Sequence, residues 1–205
     1  MARRLLTVGA TALTAGLLGT AVWFVAGRDD AASPARNPTS TTARQVAAAG
    51  AAVPAGFVEF RDETAGFAIA YPSAWNRLQS SDPQVPIIVT RNQADSFLAR
   101  VVTLDAPIGP GELPQFQKLT DQLVKGNSGA EILQGPKPVD IAGVPGFFYF
   151  YRFTDGATGA RGVHSHYFLV KDRTMYSFVF QALPEGSFKE LAPVFDEIVS
   201  TFRRL

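Results

Sequence analysis

The spacing of apolar positions changes along this chain, and each change marks a different kind of segment. From Leu5 to Ala26 no formal charge interrupts an apolar run. A helix of that length, at about 1.5 Å per residue, covers roughly 33 Å, enough to cross a hydrocarbon core of about 30 Å. Arg28, Asp29 and Asp30 end the run, and Trp23 stands where interfacial aromatics sit. Arg3 and Arg4 precede it. The positive-inside rule therefore predicts a cytoplasmic N-terminus at 1–4, a transmembrane anchor at 5–26 and an extracytoplasmic remainder, the topology of a single-pass protein of the cell membrane. The competing reading of 5–26 is a cleaved signal peptide. Such peptides have apolar regions of about 7–15 residues, and Val25-Ala26-Gly27 lacks a clean A-x-A site, so length favours the uncleaved anchor.

Residues 27–56 lose the apolar pattern altogether. They are rich in Ala, Pro and Thr, and only Val46 and Val53 are sizeable apolar groups. No face can be buried to offset the entropy of ordering, so a disordered linker is expected here.

From Phe57 onward the pattern is that of a globular domain, 57–205. Phe57–Phe60 and Gly66–Tyr71 read as strands, and Pro72-Ser73-Ala74-Trp75 as a turn that sets an aromatic on the core. Pro86–Thr90 and Phe97–Leu104 read as strands joined through Asn92-Gln93-Ala94-Asp95. The period then becomes helical at Leu113, Phe116, Leu119, Leu123 and Val124, with Gly126 and Asn127 as the stop. Strands resume at Glu131–Leu133 and Lys137–Ile141, flanking a Gly135-Pro136 break, and Gly143-Val144-Pro145-Gly146 reads as a turn. Phe147–Phe153 and Met175–Leu183 are apolar on both alternating faces, so each should be central and covered on both sides. Between them Val163–Val170 is a strand, and Lys171-Asp172-Arg173 a turn. Phe188, Leu191, Phe195, Ile198 and Phe202 step by three and four. This last helix has Ser187 and Glu190 placed for a capping box, Pro193 as an interruption, and Arg203 and Arg204 at its negative end. The expected class is α+β: an α/β/α sandwich with a central antiparallel sheet and helices on both faces, preceded by the N-terminal transmembrane helix.

Charge narrows the function. The chain has 19 basic and 18 acidic residues. Its slight positive excess lies before Phe57, and 57–205 holds 14 basic against 16 acidic, a net −2. Nucleic acid is not an expected partner. The absence of cysteine among the 205 residues excludes disulfides, thiol catalysis, Cys-type zinc sites and lipidation on an N-terminal Cys.

One constellation could carry chemistry. His164-Ser165-His166 lies on an expected strand, where residues two apart face the same side, so both imidazoles point together. They are the weak metal candidates, with Asp155 or Asp172 as a third ligand from the adjoining loops. The plainer reading is a polar pair on a strand. Ser165 faces the other way, so no Ser–His dyad forms within the tripeptide. Neither a nucleophile elbow nor a phosphate loop occurs in the sequence. No catalytic residue and no cofactor is expected. The aromatics of Phe147–Phe153 and Tyr167–Tyr176 read as core, with an apolar pocket as the alternative.

The run Phe60…Gly66-Phe67-Ala68-Ile69-Ala70-Tyr71-Pro72-Ser73-Ala74-Trp75 resembles the opening of PsbP-like domains. The aromatic strand Met175–Ala182, followed by Phe188, Pro193, Phe195, Ile198 and Ser200-Thr201-Phe202-Arg203, resembles their ending. The resemblance covers most of 57–205 and extends to bacterial envelope members of the DcrB and LpqN types. It implies a central antiparallel sheet with helices on both sides, and accessory binding rather than a shared reaction. The expectation is a membrane-tethered extracytoplasmic interaction domain, not an enzyme, that serves an envelope protein. The alternative is a carrier or sensor of an apolar, lipid-like ligand in the envelope.

Overall fold

The computed structural model describes residues 53–127 and 129–205. The expected N-terminal segment, anchor and all but the end of the linker lie outside them. No helix among the described residues is long and apolar enough to cross a membrane.

Strands β1 (Phe57–Asp62) and β2 (Phe67–Pro72) form a hairpin. Asp62 accepts the N–H groups of Thr64 and Ala65 at 2.9 Å each, and Gly66 takes a φ of 72° that suits a residue without Cβ. Six further strands build the main sheet: β3 (Asn76–Leu78), β4 (Ile87–Thr90), β5 (Ser96–Ile108), β6 (Glu131–Ile141), β7 (Val144–Thr154) and β8 (Arg161–Ala182). Their order is β3-β4-β5-β8-β7-β6, and every paired ladder is antiparallel. Strand β8 doubles back near Asp172, whose φ is 55°. Its first arm pairs with β7 and its second with β5. The contact His166 Nε2 to Ser177 Oγ, 2.7 Å, ties the arms together.

Two helices cover the two faces. Helix α1 (Leu113–Lys125) buries Phe116, Thr120 and Val124. These pack with Val102, Leu104, Phe147, Tyr149, Tyr151, Phe168 and Met175. Helix α2 (Phe188–Ser200) buries Leu191, Phe195, Ile198 and Val199 on the other face. They share a core with Phe67 and Ile69 of β2 and with Val89, Phe97, Phe178 and Phe180 of the sheet. The period of two explains the sorting: Phe147, Tyr149 and Tyr151 turn to α1, while Phe150 packs on the α2 side. The double apolar character of β7 thus reflects two separate cores.

The sequence-based expectation differs in several places. The described residues form two sheets: β9 (Arg203–Arg204) pairs with β2 to give a small sheet ordered β1-β2-β9. Arg203 and Arg204 therefore lie on a strand, and Arg203 makes an ion pair with Glu59 at 2.5 Å rather than facing a helix end. The turn before β7 is Ala142-Gly143, at φ 53° and 75°, and Asp140 accepts the Gly143 N–H at 2.9 Å. Two positive-φ residues twist the chain as a tight hairpin needs, so Val144 already belongs to β7. Strand β6 runs through Gly135-Pro136 as a register shift, not a break. Ser187 makes no side-chain cap, because a 3₁₀ turn at Glu185–Ser187 leads directly into α2. Glu190 instead meets Arg91 at 2.5 Å. The helix also passes Pro193 uninterrupted. The carbonyl that this proline leaves without its helical partner belongs to Lys189, which is exposed to solvent.

One buried carboxylate fastens the β4–β5 turn to the end of β8. Asp95 is fully buried, pairs with Arg91 at 2.7 Å, and accepts bonds from Asn92 at 2.9 Å and the Leu183 N–H at 3.0 Å. Removing its charge while keeping its shape weakens each of these bonds. Asp95→Asn is expected to cost about 2 kcal/mol in urea unfolding. A loss under a few tenths would mean that this turn is not anchored through Asp95.

Candidate functional site

Both histidines lie on the first arm of β8 and face α1, as their spacing of two requires. His166 is buried, stacked on Phe168 with ring centroids 3.8 Å apart. Its Nε2 lies 2.7 Å from Ser177 Oγ and its Nδ1 lies 3.2 Å from the Tyr151 hydroxyl. His164 stacks on Phe153 at 4.2 Å, and its Nε2 lies 2.9 Å from Gln181 Oε1. Gln181 Nε2 donates to the Ala94 carbonyl at 2.7 Å, which fixes the amide. His164 Nε2 must therefore carry the proton, leaving Nδ1 as a bare lone pair. That Nδ1 is buried without a hydrogen-bond partner.

Burial dominates the electrostatics. It lowers His164 to a pKa of about 4 despite its bond to Gln181. His166 falls well below its ordinary value, through burial first and the neighbouring His164 second. Both rings are neutral across physiological pH. Neutral imidazoles can ligate metal, but the other proposed ligands point elsewhere. Asp155 is buried and turns its carboxylate onto its own loop, accepting Ala157 N–H at 3.0 Å and Thr158 N–H at 3.3 Å. Asp172 sits at the exposed tip of the β8 bend. Among the described residues no three His, Cys, Asp or Glu side chains gather closely enough to hold a metal ion.

The network continues under α1. Tyr151 receives an N–H from Asn127 at 3.4 Å. Tyr149 lies 2.7 Å from Thr120 Oγ1 and donates to Asp121 Oδ1 at 2.8 Å. Burial raises both phenols above their ordinary value. Ser165 is buried on the opposite face, as the period of two predicts. The serine that does meet a histidine is Ser177, also fully buried. The pairing has the reach of a nucleophile–base contact, but its setting is a sealed core. Its evident work is to satisfy polar groups between helix and sheet.

Accessible apolar surface lies nearby. A cleft of about 350 Å³ opens between the start of α1 and the β6–β7 hairpin. Pro110, Leu113, Pro114, Pro138, Pro145 and Phe147 line it, with the Gln117 amide as a polar side chain. Of the aromatic runs singled out in the sequence, only Phe147 reaches it. Tyr149 and Tyr151 are packed solid beneath α1, and Tyr176 lies in the core beneath β2.

No family model and no curated protein matches the chain. Solved structures do. PsbP of Synechocystis sp. PCC 6803 (CyanoP) superposes with a TM-score of 0.53 at 16% identity, covering 78% of this chain and 99% of that one. A crystal structure from Bacteroides thetaiotaomicron VPI-5482 gives 0.49 at 17% identity over 72% of this chain. The match spans only 48% of that longer protein. LpqN of Mycobacterium tuberculosis, described as involved in cell envelope biogenesis, gives 0.45 at 10% identity, over 66% of this chain and 81% of its own. The likeness to CyanoP defines the class of architecture: an antiparallel sheet with two helices. The fold of this chain is PsbP-like.

Proposed function

We propose that this protein is a membrane-tethered, extracytoplasmic accessory domain that binds another protein of the cell envelope and catalyses no reaction itself. The observation that carries this reading is the fate of the two histidines. Both spend their polar atoms on internal partners or bury them, so the one constellation that could have carried chemistry is committed to the core. The accessible features are apolar and aromatic, which suits recognition. The PsbP-like fold and the apolar segment Leu5–Ala26 support the accessory role and the tether. The cleft beside Phe147 favours a second reading, an apolar ligand carried in the envelope.

The test is a cross-linked pull-down of tagged full-length protein from its native membrane, with residues 1–56 alone as control. A protein captured only when 57–205 is present is the expected result. Recovery of no specific protein, together with a co-purifying apolar small molecule in native mass spectrometry, would replace this reading with the carrier.

A further inference from the structure

The two histidines differ in what their hydrogen bonds reach. His164 leads through Gln181 to the Ala94 carbonyl, so its partners lie on strand and turn. His166 leads to a helix end. Its Nδ1 lies 3.2 Å from the Tyr151 hydroxyl, and that hydroxyl lies 3.4 Å from Asn127 Nδ2. Asn127 Nδ2 also lies 3.4 Å from the Leu123 carbonyl, in the last turn of α1. A carbonyl only accepts, so the Asn127 amide must turn its N–H groups this way. Tyr151 therefore receives Asn127 and has its own proton to give. The one acceptor in contact with it among the described residues is His166 Nδ1. The ring then carries its proton on Nε2 and donates to Ser177 Oγ at 2.7 Å. Asn127, Tyr151, His166 and Ser177 thus form a relay in which each donates to the next.

This relay has no place for another proton. With both ring nitrogens protonated His166 only donates, and the Tyr151 hydroxyl then meets it donor to donor. The hydroxyl proton must turn to Asn127. The amide must flip to offer its oxygen, and the Leu123 carbonyl loses its side-chain donor. Asn127 is also where the chain turns from α1 towards β6. Its N–H bonds to the Val124 carbonyl and its carbonyl accepts the Ala130 N–H, both at 3.1 Å.

The surroundings exclude that proton while the site is closed. His166 is 3% exposed. Arg100, the β5 partner of Ser177, is buried and held by Asp82 at 2.7 Å and Gln84 at 2.9 Å. Its charge, and any proton on His164 two residues away, oppose a charge on His166. Asp121 of α1 favours one, but it is occupied by the Tyr149 hydroxyl at 2.8 Å. Lys118 and Lys125 of α1 and Glu131 of β6 are exposed. Once opened, the site accepts the proton near the ordinary histidine value of about 6.5. Acid therefore favours the open form.

We propose that His166, Tyr151 and Asn127 form an acid-operated latch that holds the C-terminal turn of α1 on the sheet. Acid releases it: His166 takes up a proton, Asn127 lets go of the Leu123 carbonyl, and the turn lifts with Leu123 and Val124 while the core under α2 stays closed. The latch stands whether or not the accessory-domain reading does.

Hydrogen exchange of the full-length protein by NMR, corrected for the intrinsic effect of pH, reads the latch. The amides of Gly126, Asn127 and Ala130 are expected to lose protection roughly tenfold per pH unit between about pH 6 and 5, the mark of one proton. At each pH they should exchange faster than those of Leu191 and Ile198 in α2, whose exposure needs global unfolding. His166→Asn keeps an acceptor for Tyr151 but cannot take up this proton, so it should flatten the profile at the α1 end. Protection there that does not change with pH overturns the latch. So does a slope that survives His166→Asn, or equal exchange at the two helices, which means that only global unfolding occurs. Because His166→Asn lies in the core and can fail to fold, ¹⁵N spectra of the wild-type histidine rings give a second measurement. At pH 7 His166 should carry its proton on Nε2, and its titration should track the opening of the α1 end. A proton on Nδ1 instead, or titration without opening, overturns the relay.

Discussion

Stability is expected to fall steeply as the pH drops from about 6.5 towards 4. The cause is the pair of neutral imidazoles, His166 buried and His164 half-buried with its Nδ1 shut away from solvent. In the unfolded chain each histidine takes up a proton near its ordinary value of about 6.5. In the folded protein His164 resists protonation down to about 4, and His166 is likewise held well below its ordinary value. Between those limits the unfolded state binds more protons than the folded state, so lowering the pH favours unfolding. The contribution is complete above the unfolded pKa and disappears as pH falls through the folded one. Each histidine removes about 1.4 kcal/mol per pH unit once it titrates only in the unfolded chain. His164 alone accounts for about 3 kcal/mol over the window, a large share of the roughly 5–15 kcal/mol that holds a typical domain together. Asp196 acts in the opposite sense, because burial raises its carboxyl and acid relieves the cost of its charge. It is one group with one face in water, so the histidines dominate.

Urea unfolding at a series of pH values between 7 and 4.5 checks this directly. The slope should approach two protons per molecule below pH 6. His164→Phe keeps the stack on Phe153 but strands Gln181, so it costs stability at pH 7. Its distinguishing mark is a slope reduced by one proton, which a merely structural loss would not produce. A flat profile across this window would show that the two rings are solvated, contrary to their burial.

The same two residues show how far the sequence can be read. A period of two puts His164 and His166 on one face, and they are on one face. Their partners were out of reach. His166 meets Ser177 while His164 meets Gln181, so residues two apart on one arm contact residues four apart on the other. Neither spacing nor composition reveals those partners, because which side chains meet across two strands, directly or diagonally, is a tertiary choice. Whether a histidine is a ligand or a neutral core group depends on that choice.

The elements themselves were largely legible, because burial on one helix face or two strand faces writes a period into the chain. Leu113–Lys125 and Phe188–Ser200 appear where their apolar steps put them. What failed was local chemistry that tertiary contacts override. The two-residue strand at Arg203–Arg204 forms because β2, far earlier in the chain, presents an open edge to it. Ala142 takes a positive φ that its side chain does not advertise. The burial of single aromatics was hidden for another reason: Phe148 and Phe150 look like core in sequence, yet both are only half-buried on the α2 side of the sheet.

A second large effect is expected from a single methyl group. Gly146 lies in β7 opposite Leu169 of β8. A Cβ there would sit 1.9 Å from the Phe168 carbonyl oxygen and 2.8 Å from the Leu169 Cα. These are backbone atoms of the neighbouring strand, so no side-chain rotation relieves the clash. Gly146→Ala must push the two strands apart in the centre of the sheet, between the core under α1 and the core under α2. The expected loss is roughly 3 kcal/mol or more, the range of severe overpacking. Two other glycines calibrate it. Gly156→Ala meets nothing within 4 Å and should be nearly neutral. Gly143→Ala also has open space, but its φ of 75° disfavours a Cβ, so about 1 kcal/mol is expected. The order Gly156, Gly143, Gly146 in urea unfolding separates absence of contact, backbone strain and steric exclusion. Gly146 also lines the apolar cleft with Phe147, so separation of β7 from β8 should open that cleft. Hydrogen exchange at Phe147 and Phe168 would report it. If Gly146→Ala unfolded within about 1 kcal/mol of wild type, β7 and β8 could not be in the register described. The assignment of Phe147, Tyr149 and Tyr151 to the α1 side would then fail with it.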